Sequence, residues 1–280
     1  MTPGLYFVAT PIGTARDITL RALDILASAD MIAAEDTRSL RRLMDIHGVP
    51  LEGRRLVSYH DHSGKGDETR ILSALRDGQS VAYASEAGMP LIADPGFELS
   101  RSAAEAGFTV TAAPGPSAVL TALTLAGLPT DAFFFAGFLP NASAARKTRL
   151  EALRSIPGTL VFYESPKRVA ASLADMAEML GGDRPAAMCR ELTKKFEEIF
   201  RGSLAELAAA LADRTVKGEI VLIVDRARTE PVKESDLETD LLAALQKMSV
   251  KDAADLVSKM HQTPKRGVYQ LALKLAKGSG

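Results

Sequence analysis

The amino-acid sequence predicts a protein of two α/β domains followed by a small helical domain. Up to about residue 225, short apolar runs alternate with helical patterns, which is typical of sheets covered by helices. Two prolines and a glycine at 114–116 interrupt this alternation, and after residue 226 the sequence turns polar and then helical in pattern. We therefore expect an N-terminal α/β domain over 1–115, a second over 116–226, a linker over 227–235 and a basic helical domain over 236–280.

The first domain is predicted to contain a mostly parallel sheet. Runs with the length of buried strands lie at 5–9, 31–35, 56–59, 80–84 and 109–112. Helical patterns lie between them at 19–28, 37–46, 68–76 and 97–106. Thr19 can cap the first of these helices, and glycines at 48, 78 and 107 end the others. Alternation of strand and helix indicates crossover connections and hence parallel strands.

The second domain continues the pattern but includes an antiparallel element. Strand-like runs recur at 133–136, 159–163, 186–190, 198–201 and 219–224, with helices predicted at 117–126, 143–154, 168–180 and 203–212. Ser203 and Glu206 have the spacing of a capping box, and Ser117 is placed to cap the helix that opens the domain. Because 193–201 has room only for a hairpin, the strands around it should run antiparallel.

The C-terminal region is helical in pattern and basic. Helices are predicted at 237–248, 251–261 and 266–275, and from Lys247 onward there are seven Lys/Arg against two Asp/Glu. A small basic helical domain can bind nucleic acid, and it can equally be a solubilising tail that docks on the body of the protein.

Composition predicts a cytoplasmic protein. A net charge of −1 gives no overall attraction to nucleic acid or membranes, so any basic surface must be local. The single cysteine, Cys189, excludes an internal disulfide framework and is predicted to be a small core residue. The start of the chain lacks the basic region of a secretion signal, and no uncharged run approaches the ~20 residues of a membrane helix.

One loop, which we name the central loop, carries most of the functional information. Residues 84–96 read Ala-Ser-Glu-Ala-Gly-Met-Pro-Leu-Ile-Ala-Asp-Pro-Gly, between a predicted buried strand and a helix. Open α/β sheets bind ligands beyond the carboxyl ends of their strands. Glycines allow a ligand to approach the backbone, and prolines hold the carbonyls in place. A stiff, acidic loop suits a ligand with a cationic centre and a sugar better than a phosphate, which favours S-adenosylmethionine over a nucleotide.

Several phrases in order resemble one family. They are Val-Ala-Thr-Pro-Ile-Gly at 8–13, Ala-Glu-Asp-Thr-Arg at 34–38, the loop at 85–96, Pro-Gly-Pro-Ser at 114–117, Phe-Tyr-Glu-Ser at 162–165, Arg-Glu-Leu-Thr-Lys at 190–194 and Lys-Gly-Glu at 217–219. Together they resemble the ribosomal RNA small-subunit methyltransferase I family of the tetrapyrrole methylase superfamily. The family methylates a cytidine ribose 2′-oxygen. Glu86 and Met89 depart from its usual Ser-Asp-Ala-Gly-Thr-Pro, so a contact at Met89 should come from the backbone.

The resemblance implies that S-adenosylmethionine lies bent in a cleft between the two α/β domains. The central loop would face it, with the 114–118 segment opposite, where Pro-Gly-Pro could alternatively be a plain domain hinge. The residues implied in cofactor binding are Pro11, Gly88, Met89, Pro90, Leu91, Asp94, Pro114, Gly115, Ser117, Ala118, Tyr163, Leu192 and Glu219.

Methyl transfer is an in-line displacement in which a positioned base adds typically ~10²–10⁴-fold. The candidate bases are Asp17, Glu35, Asp36 and Glu164, and Arg38 and Arg190 are candidates to hold a phosphate or steer the acid. Asp17 could equally be a turn residue, Asp36 a helix cap, and Glu164 half of a structural pair with Tyr163. The sequence does not choose among the four acids.

Three further patterns have less specific interpretations. His60-Asp61-His62 could place two imidazoles on one face, but with no third ligand evident we expect a substrate-contacting or surface loop and no metal. Basic residues cluster at Arg38, Arg41 and Arg42, at Arg146, Lys147 and Arg149, and at Lys194 and Lys195; they would track phosphates if they surround the cleft. We expect few exposed aromatic side chains, and therefore little stacking on flipped bases.

The sequence therefore predicts a methyltransferase that modifies a cytidine ribose in 16S ribosomal RNA, within the small subunit, and the resemblance also suggests a homodimer. A second hypothesis keeps the fold but moves the methyl group to carbon on a precorrin-type tetrapyrrole. The basic tail argues against this hypothesis. A third hypothesis is a ribosome assembly factor without catalysis.

Overall fold

The computed structural model describes residues 1–59, 65–227, 234–261, 263 and 265–278. These residues divide into two compact units, Met1–Ala227 and the described part of the chain beyond it. Within its described residues the first unit holds two five-stranded sheets, each covered by helices, and the second is helical. The predicted fold class, two α/β sheets followed by a helical domain, is confirmed.

The first sheet is parallel throughout, as predicted. Its strands are β1 (Gly4–Val8), β2 (Met31–Ala34), β3 (Arg55–Ser58), β4 (Ser80–Ala84) and β5 (Val110–Ala113), in the order β3-β2-β4-β1-β5. Every residue of β1, β2 and β4 is buried because helices cover both faces. The helices are α1 (Leu20–Ser28), α2 (Thr37–Ile46), α3 (Lys65–Arg76) and α4 (Phe97–Glu105).

The topology of this sheet opens a crevice at its carboxyl edge. Strands β1 and β4 are neighbours, yet the helices that follow them cover opposite faces of the sheet. Helix α1 packs Ile25 in the same cluster as Val8, whereas α4 packs Leu99 in the cluster of Phe7 on the other face. The loops after β1 and β4 therefore diverge at a topological switch point, the place where α/β sheets bind ligands.

The second sheet is mixed. Its strands are β6 (Phe133–Phe138), β7 (Thr159–Glu164), β8 (Pro185–Arg190), β9 (Glu198–Ser203) and β10 (Ile220–Val224), in the order β6-β7-β10-β8-β9. Strands β6 and β7 are parallel and the other neighbours antiparallel, so the predicted hairpin between β8 and β9 is confirmed. Helices α6 (Ser143–Leu153), α7 (Val169–Leu180) and α8 (Leu204–Leu211) cover one face, and α5 (Ala118–Ala126) covers the other.

We name each sheet of this unit with its helices a lobe. A shared apolar cluster joins the two lobes. Ile12, from the loop after β1, packs with Val119 and Leu123 of α5 and with Leu192 after β8. Cys189 lies in the same cluster, where burial raises the pKa of its thiol to about 11. The thiol therefore stays protonated at neutral pH, which agrees with the predicted role of a core residue.

Two expectations about the surface are wrong. Arg146 belongs to no exposed basic cluster: it is 4% exposed, and its guanidinium pairs at 2.6 Å with Asp175 of α7, 29 residues away in the chain. Aromatic side chains are not scarce at the surface either. Phe97 and Phe196 are each 64% exposed and Phe138 is 57% exposed. Arg101 and Lys195 lie over the rings of Phe97 and Phe196, and Phe138 packs edge-on against Tyr163, so each ring is only partly covered.

The second unit contains α9 (Glu234–Leu245), α10 (Val250–Met260) and α11 (Lys265–Gly278), close to the predicted helices. Its own core is formed by Leu241, Val257 and Val268, one from each helix, with smaller side chains around them. Ser249 caps α10 by accepting a hydrogen bond from the amide of Asp252 at 3.2 Å. Among the described residues, no helix combines the length and apolarity that crossing a bilayer would need.

Candidate active site

A cleft of about 700 Å³ lies between the two sheets of the first unit, a volume within the usual range of small-molecule sites. It opens at the carboxyl ends of β1, β4 and β7 and at the start of β10. Its lining combines apolar side chains with several carboxylates, a lysine and a tyrosine. The lining residues are Pro11, Ile12, Gly13, Ser39, Glu86, Ala87, Ala93, Asp94, Ala118, Phe138, Tyr163, Glu164, Ser165, Pro166, Leu192, Lys194, Gly218, Glu219, Ile220 and Val221.

The wall from the first lobe is a pair of cross-linked loops. Thr10 and Gly88 exchange two backbone hydrogen bonds, at 3.0 and 2.9 Å, so the loops after β1 and β4 form a short antiparallel bridge. The hydroxyl of Thr10 donates to the carbonyls of Ser85 and Glu86. The hydroxyl of Ser85 donates to the carbonyl of Gly88. The wall is therefore held rigid before any ligand arrives.

The central loop stores backbone strain in and beside the part that lines the cleft. Leu91 and Ala93 have φ of 73° and 63°, in the left-handed region that costs a non-glycine residue about 1–3 kcal/mol. Gly88 has φ of 82°, and a Cβ there would lie 3.3 Å from Ile12 Cγ2 and 3.5 Å from the carbonyl oxygen of Pro116. The loop, the segment after β1 and the segment before α5 therefore meet at a point where only glycine fits without strain.

The wall from the second lobe is built around Lys194. Its Nζ lies 2.9 Å from Glu191 Oε1 and 2.8 Å from Glu219 Oε2. Burial opposes the charge, but the hydrogen bonds to Glu219 and Glu191 outweigh burial and raise the pKa of Lys194. The backbone of Gly218 passes so close that a Cβ would lie 2.4 Å from the Glu191 carboxyl carbon. Lys194 is therefore a fixed cation, which the sequence identified only as part of a basic cluster.

A polar contact ties the two walls together. The amide of Thr14 donates to Thr193 Oγ1 at 3.1 Å, and the hydroxyl of Thr14 donates to the carbonyl of Thr193 at 2.8 Å. Gly13 allows this approach, because a Cβ there would lie 2.5 Å from Thr193 Oγ1. We name this contact the interlobe latch. It fixes the width of the cleft at one end.

Tyr163, at the end of β7, faces the acidic side of the cleft. Burial raises the pKa of its phenol to about 12, and the carboxylates of Asp94 and Glu219 contribute to this rise by disfavouring a further negative charge. The ring is held edge-on by Phe135 and Phe138, with centroids 4.9 and 5.6 Å away. Tyr163 therefore stays protonated at neutral pH, as a hydrogen-bond donor between the two lobes.

Glu164 borders the cleft, but its carboxylate is already engaged. The side chain is fully buried, and Oε2 accepts from Ser172 Oγ at 2.5 Å while Oε1 accepts from the amide of Ser165 at 2.7 Å. Arg168 pairs with it at 3.2 Å. A carboxylate with this many donors is a structural anchor for the start of α7, so the geometry favours a structural role over a catalytic one.

Replacing Glu164 by Ala should therefore lower stability more than it affects chemistry. Removing one partner of a buried, hydrogen-bonded ion pair costs about 3–5 kcal/mol, and Arg168 keeps some access to water, so we expect about 3 kcal/mol. Urea unfolding measures this loss, and Glu164→Gln, whose single amide oxygen can still accept from Ser165 or Ser172, should lose less. If Glu164→Ala instead unfolds like the wild type but loses turnover, the carboxylate is a base.

The other predicted acids occupy different settings. Asp36 caps α2, accepting from the amides of Arg38 at 2.8 Å and Ser39 at 3.4 Å, and the Arg38 hydrogen bond lowers its pKa. Asp17 is exposed on a single 3₁₀ turn, Ala15–Asp17, and Glu35 is partly buried directly after β2. Arg38 is 91% exposed beside Asp36. None of these four side chains belongs to the cleft lining.

Arg190 and the segment before α5 also lie outside the lining. Arg190 pairs with Glu198 at 2.9 Å and donates to the carbonyl of Lys217 at 3.1 Å, so its guanidinium braces the second sheet. Ser117 caps α5, accepting from the amide of Leu120. The predicted cofactor residues thus fall into two groups. Pro11, Asp94, Ala118, Tyr163, Leu192 and Glu219 line the cleft, whereas Gly88, Met89, Pro90, Leu91, Pro114, Gly115 and Ser117 lie behind the lining.

Most residues of the cleft lining were not singled out from the sequence as site residues, among them Glu86, Ser39 and Phe138. Glu86 is exposed at the cleft, where its carboxylate joins Asp94 and Glu219. Ser39 reaches the cleft from the first turn of α2, and Phe138 from the end of β6. Glu86 could have been found, because it follows the same strand as Asp94. Ser39 and Phe138 could not have been found in this way, because α2 and β6 reach the cleft only through the packing of the two lobes.

The metal interpretation has no support in the described part of the chain. His60-Asp61-His62 lies outside the described residues, and within them no group of three or more His, Cys, Asp or Glu side chains is arranged to hold a metal ion.

The fold and the cleft define a protein of the tetrapyrrole methylase class. A family model described as Tetrapyrrole (Corrin/Porphyrin) Methylases matches residues 4–208, and one described as RsmI C-terminal HTH domain matches 231–276. A cobalt precorrin-4 methyltransferase shares the fold with a TM-score of 0.60 at 16% identity, over 79% of this chain and 94% of that one. A diphthine synthase shares the fold with a TM-score of 0.62 at 17% identity, over 79% of this chain and 89% of that one.

Sequence comparison identifies the particular family. The ribosomal RNA small subunit methyltransferase I of Mesorhizobium japonicum is 49% identical over 100% of this chain and 95% of its own length. The same protein of Vibrio cholerae is 43% identical over 97% of this chain and 95% of its own length. That of Escherichia coli O157:H7 is 42% identical over 96% of this chain and 94% of its own length. The chain belongs to the ribosomal RNA small subunit methyltransferase I family, which confirms the resemblance seen in its motifs.

Proposed function

We propose that the protein transfers a methyl group from S-adenosylmethionine to the ribose 2′-oxygen of a cytidine in 16S ribosomal RNA, and that it works on the small subunit in the cytoplasm. Family membership supports the methyltransferase activity and the ribosomal substrate. The observation that carries the proposal is the acidic cleft between the lobes, where Asp94, Glu219 and Tyr163 converge on a space of cofactor size.

The residues of the cleft fit S-adenosylmethionine. Ile12, Ala118 and Leu192 provide apolar surface for an adenine and a thioether chain. Asp94 and Glu219 provide the negative charge that a sulfonium centre needs when it leaves water. A uroporphyrin-III C-methyltransferase from Thermus thermophilus with the same fold was crystallised with S-adenyl homocysteine (TM-score 0.55, 19% identity, over 80% of this chain and 98% of that one). When bound, the cofactor supplies an activated methyl group.

The protein contributes position and electrostatics. We propose that the Thr10–Gly88 bridge keeps the first wall rigid while the interlobe latch holds it at a fixed separation from the second, and proximity of this kind can supply roughly 7–11 kcal/mol of a barrier. The protonated phenol of Tyr163 serves as a donor between the walls. Because Asp36 caps a helix and Glu164 anchors another, the acids proposed to accept the ribose proton are Asp17, Glu35 and, at the cleft itself, Glu86.

One labelling experiment separates this function from its rivals. The protein is incubated with S-adenosylmethionine tritiated on its methyl group and with either undermodified small subunits or precorrin. We expect label on a cytidine ribose of 16S ribosomal RNA. Label on the macrocycle would instead establish a tetrapyrrole C-methyltransferase, and subunit binding without label would establish an assembly factor without catalysis.

The proposed assembly is a homodimer, supported by the exposed edge of the second sheet. Strand β6 is an edge strand, and it exposes Phe133 and Phe134, at 45% and 37%. An open edge with large apolar side chains is a surface suited to another chain. Light scattering should give twice the mass of the chain, and Phe134→Lys should lower it; a monomeric wild type would rule out the dimer.

A further inference from the structure

The connection between β8 and β9 ends in an exposed aromatic ring beside a cation. Phe196 is 64% exposed, and the ammonium group of Lys195 lies 5.5 Å from the centre of its ring. In the described part of the chain no carboxylate pairs with Lys195. We name residues 191–197 the hairpin tip. The ring and the cation are therefore both available to a binding partner from outside the first unit.

The hairpin tip is stiff. The amide of Thr193 donates to Glu197 Oε2 at 2.7 Å, the amide of Glu197 donates to the carbonyl of Lys194 at 3.1 Å, and the amide of Glu191 donates to the carbonyl of Glu219 at 2.9 Å. Glu191 and Thr193 both adopt positive φ, 51° and 62°. A loop with this many internal contacts presents Phe196 in a defined position, so a ligand that binds there loses little entropy in ordering it.

The hairpin tip is also part of the cleft. Leu192 and Lys194 line the cleft, and Thr193 forms the interlobe latch with Thr14. Phe196 lies two residues beyond Lys194, on the exposed side of the same tight turn. This segment forms part of the rim of the cleft, so a polymer whose sugar enters on this side meets it. The ring is therefore placed for a contact with the substrate rather than with the methyl donor.

We propose that Phe196 stacks on a nucleobase next to the target nucleotide while Lys195 binds an adjacent phosphate. The inference rests on the proposed function and adds a recognition contact to it. Aromatic rings stack on bases of any sequence, and a neighbouring cation follows the backbone, which is how single-stranded nucleic acids are held. A protein partner would instead favour a contiguous apolar patch, but the residues on either side of Phe196 are the exposed, charged Lys195 and Glu197. In this proposal, stacking of aromatic side chains on bases contributes more to RNA recognition than was expected from the sequence.

The absence of tryptophan from the chain makes the stacking directly observable. The sequence has no Trp, so Phe196→Trp introduces a single indole whose fluorescence is quenched when a base stacks on it. Phe97→Trp is the matched control, because Phe97 is also 64% exposed, has the guanidinium of Arg101 5.7 Å from its ring centre and does not line the cleft. Each variant is titrated with single-stranded oligocytidylate RNA, and subunit methylation is measured for the wild type, Phe196→Ala and Phe196→Trp.

We expect quenching at position 196 and none at position 97. Phe196→Ala should raise KM for undermodified subunits by about 5- to 150-fold, the range found when one base–aromatic stack is removed. Phe196→Trp should keep a KM near that of the wild type, and the affinity for S-adenosylmethionine should not change in either variant. An unchanged KM in Phe196→Ala with no quenching at position 196 would overturn the inference, as would a changed oligomeric state at unchanged KM. Failure of the proposed function is seen separately, as a wild type that labels no RNA.

Discussion

Replacing Gly88 by Leu should weaken binding of S-adenosylmethionine by at least about a hundredfold while the protein stays folded. Gly88 has φ of 82°, and its Cβ position lies 3.3 Å from Ile12 Cγ2 and 3.5 Å from the Pro116 carbonyl oxygen. The rest of a leucine must therefore displace Ile12, which lines the cleft, and the segment before α5. A displacement of about 1 Å can cost 10²-fold in a site that depends on position. Isothermal titration calorimetry measures the affinity, and circular dichroism confirms the fold.

Gly78→Leu is the matched control for this variant. Gly78 has nearly the same backbone conformation, φ of 75°, but nothing lies within 4 Å of its Cβ position, and it follows α3, outside the segments that form the cleft. Both substitutions carry the strain of a left-handed leucine, about 1–3 kcal/mol of stability. We expect loss of cofactor binding in Gly88→Leu alone. Unchanged affinity in Gly88→Leu would remove the central loop from the site.

Deleting residues 236–280 should weaken binding to ribosomal RNA by on the order of a hundredfold and leave the affinity for S-adenosylmethionine intact. The deleted helices have their own core, and from Lys247 onward they carry seven Lys/Arg against two Asp/Glu. For every phosphate that the shortened protein no longer neutralises, the slope of log affinity against log salt should become shallower by about 0.7–0.9. Filter binding over a salt series measures both quantities.

A milder variant separates charge from structure in this test. Arg266→Gln with Lys274→Gln removes two exposed cations from α11 and leaves the core residues Val268 and Ala272 in place. We expect part of the RNA affinity and part of the salt slope to disappear. If the deletion instead lowers affinity for the cofactor as much as for RNA, the helical unit supports the fold of the first unit and does not bind RNA.

Secondary structure was predictable because its signals are local. Thr19, Ser117 and Ser203 cap the helices that follow them by contacts within three residues, so the starts of these helices can be read from the sequence. The predicted helix 37–46 has the bounds of α2, and the hairpin between β8 and β9 follows from chain length alone. Alternating strands and helices then determine a parallel first sheet.

The site was less predictable because its contacts join distant parts of the chain. The interlobe latch links residues 179 positions apart. No local pattern indicates that residue 13 must lack a side chain so that Thr193 can pack against it. Arg146 looks like surface charge until Asp175 is placed beside it. The candidate bases were equivalent in sequence, and only the hydrogen bonds of Asp36 and Glu164 assign those two to structural roles.

The proposed function depends on where the methyl donor binds. A crystal grown with S-adenosylhomocysteine tests this directly. We expect density between the two sheets, in contact with Asp94, Tyr163 and Leu192. Density on any other face of the protein, with the cleft filled by solvent alone, would contradict the proposal that this cleft delivers a methyl group to RNA.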